Sequence, residues 1–143
     1  MGVEETVLFL SIKPRFAASI LDGTKTVELR RVSPAVQEGY LVLLYASSPQ
    51  RELVGTCKVV DLEVGSIDAI WDRHGDRSGV TQAEYGEYFD GAKRAVAIIL
   101  KEPLRLPEPR SLRDLRDALA GFRPPHSFRY LDRATVDDLG LVG

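Results

Sequence analysis

Residues 25–30 place an ammonium (Lys25), a hydroxyl (Thr26), a carboxylate (Glu28) and a guanidinium (Arg30) on one short stretch, Lys25-Thr26-Val27-Glu28-Leu29-Arg30. Polar and apolar residues alternate as they do in a strand. Val27 and Leu29 therefore face one way, while Thr26, Glu28 and Arg30 face the other at intervals of about 7 Å. Such a row suits a polar, planar ligand. The carboxylate accepts from an exocyclic amine, and the cations hold carbonyl or phosphate oxygens. Lys13, Arg15 and Arg31 flank the row and are the candidates for phosphate contact. The plainer alternative is a solvated Glu28–Arg30 ladder on an exposed strand, which contributes little to stability.

The elements that must position this row can be read from periodicity. Val7-Leu8-Phe9-Leu10-Ser11-Ile12 reads as a buried first strand. Pro14 suits the first turn of a helix, where its missing N–H is not needed, and Gly23 suits its end. Leu41 to Ala46 is apolar on both faces and predicts a central strand. Leu53 to Val64, interrupted by Gly55, predicts a long strand with a bend or bulge. Short helices are expected over Ser66 to His74 and Thr81 to Phe89, and a further strand over Ala95 to Leu100, ended by Pro103 and Pro107. Gly75-Asp76-Arg77-Ser78-Gly79 between the two helices reads as a turn. Ser111 caps another helix, with Asp114 at the capping-box position. About five strands with helices over their ends predict a mainly β, α+β fold, a small and partly open β-barrel.

Length and composition bound the rest. With 143 residues, 44% of them hydrophobic, the chain is the size of one domain that buries its own core. A single cysteine, Cys57, and two histidines, His74 and His126, supply neither a disulfide nor a conventional metal cluster, so no metal or cofactor is expected. No apolar run is long enough to span a bilayer, and the N-terminus is acidic where a secretory signal is basic, so a cytoplasmic protein without membrane contact is expected. The net charge of −2 disfavours a general polyanion binder. Its distribution does not. Residues 61–90 hold eight acids and two arginines, which leaves +4 for the remainder. That positive balance falls into two clusters, one over residues 13–31 and one over 105–133.

Ser11-Ile12-Lys13-Pro14-Arg15-Phe16 followed by Gly23-Thr24-Lys25-Thr26-Val27-Glu28-Leu29-Arg30-Arg31 resembles the signature of the ASCH domain family, a branch of the PUA-like superfamily. The segment Pro124-Pro125-His126-Ser127-Phe128-Arg129-Tyr130-Leu131 is similar to the tail of some bacterial members. The resemblance implies a single domain over residues 1–143 that binds RNA or a modified nucleoside in a cleft between barrel and helices. Lys13, Arg15, Lys25, Thr26, Glu28, Arg30, Arg31, Tyr45, Phe128 and Arg129 would be the contact residues, and Tyr45, Trp71, Phe128 and Tyr130 the candidate stacking rings, each with a plain core position as its alternative.

Two hydrolytic alternatives also follow from the resemblance, with Lys25 and Glu28 as catalytic residues. Some small ASCH proteins deacetylate N4-acetylcytidine with a lysine, a threonine three positions later and a distant glutamate. Here Lys25 matches the lysine, but the threonine position falls on Glu28 and the acid position on or near Ser78, with Asp76 and Glu84 as nearby substitutes, so the site departs from that pattern. Other members are associated with RNA cleavage. For that, Glu28 could be the base, Lys25 or Arg30 the stabiliser of the pentavalent phosphate, and His126 or His74 the acid. A different class of function is a protein partner met by the Arg-rich C-terminal helix.

Overall fold

The computed structural model describes residues 5–141, so the stretch Met1–Glu4, part of the acidic N-terminus, lies outside the described residues. The chain order is β1 (Thr6–Ile12), α1 (Pro14–Asp22), β2 (Val27–Arg30), β3 (Leu41–Ala46), β4 (Glu52–Gly65), α2 (Ile67–His74), α3 (Gln82–Tyr88), β5 (Ala95–Ser111), α4 (Leu112–Ala118), β6 (Phe128–Asp132) and α5 (Arg133–Asp138). A single 3₁₀ turn, Gly75–Arg77, lies between α2 and α3. All six strands belong to one sheet in the order β2-β5-β4-β3-β1-β6. β1 and β3 run parallel and every other pair is antiparallel. The mixed α+β architecture is the expected one, with Phe128–Asp132 as a sixth strand.

The sheet buries both faces. Leu8, Leu10 and Ile12 of β1 share one cluster with Val42 and Leu44 of β3, Ile98 of β5, and Ala17 and Ile20 of α1. On the opposite face, Val7, Phe9, Leu43 and Tyr45 pack with Leu115 of α4 and Val136 of α5. Val27 and Leu29 pack with Ile70 of α2 and Tyr85 of α3. α1 thus covers one face, while α4/α5 and α2/α3 cover separate ends of the other.

One element is longer than its sequence predicts. β5 does not stop at Pro103 but continues through Pro107 and Pro109 to Ser111. None of the three prolines holds a paired position in the β4–β5 register, which shifts between Thr56 and Lys58 and again between Leu53 and Gly55. Proline lacks a ladder donor and is tolerated in a strand only where pairing lapses. The bend expected at Gly55 coincides with one of these shifts.

The sheet is not closed. Among the described residues no ladder joins its edge strands β2 and β6. Instead the Arg30 guanidinium on β2 donates to Ser127, just ahead of β6, and to the Ser11 carbonyl on β1. A side chain bridges the gap that backbone hydrogen bonding leaves open.

Candidate nucleic-acid interface

The turn out of α1 sets up the site. Gly23 takes φ +87°, a left-handed conformation that glycine adopts without penalty, and its N–H donates to the Ile20 carbonyl. Asp22 then accepts from both the backbone and the hydroxyl of Thr24. Lys25 therefore leaves the turn pointing inward and is 2% exposed. Its Nζ donates to the Ser78 carbonyl, lies 3.2 Å from Glu28 Oε1 and faces the Phe16 ring at 4.7 Å. Gly79, at φ +72°, leaves room for the lysine stem, since a Cβ there would sit 3.3 Å from Lys25 Cδ.

Arg30 uses every donor it has. Nε and Nη2 reach Glu28 Oε2 at 3.0 and 2.6 Å, Nη2 also reaches the Ser11 carbonyl at 2.9 Å, and Nη1 reaches Ser127 Oγ at 2.9 Å and its carbonyl at 3.4 Å. Lys25, Glu28 and Arg30 are thus a self-satisfied, buried triad. Burial pushes the Glu28 carboxyl up, but the charges of Arg30 and Lys25 and their hydrogen bonds outweigh it and hold it below the usual carboxylate range. Burial also lowers the Lys25 ammonium, only partly offset by Glu28. A carboxylate held ionised in this way is a weak proton acceptor, which bears directly on its use as a base.

The triad forms the floor of a cleft of about 740 Å³, within the range of roughly 300–1,000 Å³ typical of ligand sites. Its walls are the start of α1, with Lys13, Arg15 and Phe16, the outer face of α3, with Glu84 and Tyr88, and the loop carrying His126 and Ser127. Lys13 and Arg15 are exposed at the rim. Arg15 is ion-paired with Glu84 and lies 4.3 Å above the Phe16 ring. The Glu84 carboxyl is held down to about 2 by the Thr81 backbone N–H and by Arg15. Four cationic side chains (Lys13, Arg15, Lys25, Arg30) and three acids (Glu28, Glu84, Glu87) line the cleft, a balance of +1 within a chain of −2.

Five of the ten expected contact residues converge here: Lys13, Arg15, Lys25, Glu28 and Arg30. The other five do not line the cleft. Thr26 stands at the start of the row, where its backbone pairs with Arg77 and Leu100. Arg31 is exposed and donates to the carbonyls of Tyr88 and Asp90. Tyr45, 2% exposed, is packed against Phe9 with ring centroids 5.5 Å apart. Phe128 packs on the α1-covered core. Arg129 lies over Phe122 at 5.4 Å. Of the other stacking candidates, Trp71 packs on Tyr85 and the Tyr130 hydroxyl accepts from the Ala35 N–H.

His74 is buried, with one ring nitrogen 2.6 Å from Glu63 and the other 2.7 Å from Arg77, whereas His126 opens onto the cleft. Ser78 is fully buried and its hydroxyl donates to the Gly75 carbonyl. It holds the lysine through its own carbonyl, a backbone role that residue type does not signal. The sequence offers Glu84 only as a substitute acid and Tyr88 only as part of an apolar stripe, not the two together on the cleft wall. Their i, i+4 spacing puts them on one helix face, but the helix reads more strongly as an apolar stripe.

The model of the ASCH domain family matches residues 10–105. An ASCH domain-containing ribonuclease of Zymomonas mobilis is 30% identical over 132 residues, 91% of this chain and 87% of that protein. The crystal structure of the ASCH protein from Zymomonas mobilis superposes with a TM-score of 0.89 at 28% identity, covering 94% of each chain. Part of the large ribosomal subunit protein uL22 of Ureaplasma parvum is 28% identical over 131 residues, 90% of this chain and 40% of that protein.

Proposed function

Since this chain belongs to the ASCH domain family, and Lys13, Arg15, Lys25, Glu28 and Arg30 gather in one cleft, we propose that the cleft is an RNA-binding site. The observation that carries the reading is the positive balance of a sheltered cleft on an otherwise acidic protein. Phosphate is drawn to such a site by local charge, whatever the total. Lys13 and Arg15 at the rim meet the phosphates. The buried triad fixes the floor and supplies one net positive charge beneath the ligand. A modified nucleoside held as a single unit fits the same volume. Titration of a fluorescent RNA oligonucleotide tests the reading. Binding that weakens with salt and with Lys13→Ala supports it; an absence of binding at low salt overturns it.

A second reading, RNA cleavage, is favoured by a specific pair of observations. The Zymomonas relative carries the name ribonuclease, and His126 stands at the mouth of the cleft. Imidazole is the side chain that exchanges protons near neutrality. In this reading the 2′-hydroxyl oxygen bonds to phosphorus as its proton passes to His126. The bond from phosphorus to the 5′ oxygen breaks, and that oxygen takes a proton from water, whose hydroxide recovers the proton held by His126. The products are a 2′,3′-cyclic phosphate and a 5′-hydroxyl end. Glu28 serves as the anchor of the two floor cations rather than as the base. Mass spectrometry of incubated RNA decides between the readings. Cyclic phosphate ends that vanish with His126→Gln support cleavage, and intact RNA leaves binding alone.

A further inference from the structure

Tyr88 lines the cleft wall with 45% of its surface exposed. Other rings pack behind it. Phe89 packs edge-on against it with centroids 4.7 Å apart at 82°, Tyr85 backs Phe89 at 4.7 Å, and Trp71 backs Tyr85 at 4.8 Å. The Tyr85 hydroxyl is anchored on the Ile67 carbonyl, and the Tyr88 carbonyl accepts from Arg31. One helical turn earlier on the same face, Glu84 holds the Arg15 guanidinium over the Phe16 ring. Burial raises the Tyr88 phenol, with Arg30 pulling it down and Glu28 pushing it up.

Resting on the RNA reading, we propose that Tyr88 is the platform on which a base of the bound strand stacks, entering beside the guanidinium that Glu84 fixes over Phe16. An exposed ring with a pre-ordered back layer loses little entropy on contact, and every base offers it a π face. Phosphate contact at Lys13 and stacking at Tyr88 then divide the work between charge and surface.

A short RNA carrying 2-aminopurine, titrated by anisotropy and by fluorescence quenching, tests this. Tyr88→Ala and Tyr88→Leu are expected to weaken binding about 5- to 150-fold and to abolish the quench, while Tyr88→Phe stays within about twofold of the wild type. Tyr88→Leu keeps an apolar contact with Phe89 and so separates loss of the π face from loss of packing. If both variants bind within about twofold of wild type while Lys13→Ala weakens binding, the stacking role is overturned and the RNA site stands. If wild-type protein binds no RNA at all, both fall together.

Discussion

Replacing Glu28 by Gln removes the one negative charge between two buried cations and leaves the shape nearly unchanged. In the wild type, Lys25 and Arg30 share a carboxylate whose side chain is 7% exposed. Breaking a buried ion pair by deleting one partner costs about 3–5 kcal/mol, because the charge left behind has no solvent to replace it. For a chain of this size, that corresponds to a fall in Tm of roughly 10–15 °C. The deficit also depends on pH, and its direction follows from the shifts. Glu28 titrates below its ordinary value in the folded state, so the wild type loses this stabilisation as pH falls through that lowered value. Lys25 also titrates below its ordinary value when folded, so stability rises with pH between the folded and unfolded values. Without Glu28 that folded value drops further, and the variant sheds the Lys25 proton earlier. The deficit is therefore largest near neutrality and narrows in acid and in alkali. Urea unfolding at a series of pH values measures it. Lys25→Met in the same background removes the surplus charge and is expected to recover a large part of the loss. An E28Q protein within about 0.5 kcal/mol of wild type across the series, a shift ordinary for surface changes, refutes the argument that the floor is an electrostatic unit.

Salt dependence counts the phosphate contacts. Two rim cations predict a slope of log affinity against log salt of about −1.4 for a single strand, reduced to about −0.7 by Lys13→Ala. Glu84→Gln removes a carboxylate from the cleft and frees Arg15, so RNA affinity at low salt is expected to rise, as read by the same titration. Tyr45→Ala opens a cavity beside Phe9 and is expected to cost about 3–5 kcal/mol in chemical unfolding, without changing RNA affinity per folded molecule. Equal RNA affinity in Arg113→Glu with Arg116→Glu, both exposed on α4 and absent from the cleft walls, is expected if the cleft alone binds RNA.

Much of the scaffold was legible because it rests on local rules. Pro14 and Gly23 mark α1, Ser111 with Asp114 forms the expected capping box, and the alternation over residues 26–31 correctly puts Val27 and Leu29 together on one face of β2. The continuation of β5 was hidden because proline argues against a strand wherever pairing is regular, and irregular pairing is a property of two strands at once. The charged row was legible as chemistry but not as burial. Nothing in Lys25-Thr26-Val27-Glu28-Leu29-Arg30 says that the cations spend their donors on Glu28, Ser78, Ser11 and Ser127. Those partners lie up to 97 residues away. The aromatic candidates show the same limit. Tyr45 and Tyr88 are equal as residue types, and only the sheet, which buries one and leaves the other on a helix face, separates them.

The position of the cleft follows from the way the sheet ends. A six-stranded sheet has two edges, each with unpaired backbone groups that need partners. On one edge Arg30 reaches across to the carbonyls of Ser11 and Ser127, which closes the gap without a seventh strand. A guanidinium can do this because its five donors diverge in a plane, but its charge then sits in a buried place and requires Glu28 beside it. The neighbouring Lys25 shares the same carboxylate. The device that seals the sheet is therefore the device that makes the cleft floor positive, and under the proposed RNA reading structure and ligand affinity would draw on one set of atoms. Arg30→Lys keeps the charge but offers three donors on a single nitrogen and cannot span Glu28, Ser11 and Ser127 together. It is expected to loosen the β6 edge and weaken RNA binding in parallel. Faster amide exchange at Ser11, whose N–H donates to the Ser127 carbonyl, together with lower affinity in the same variant would establish the link. Unchanged exchange with lost affinity would separate the two roles and assign Arg30 to the ligand alone.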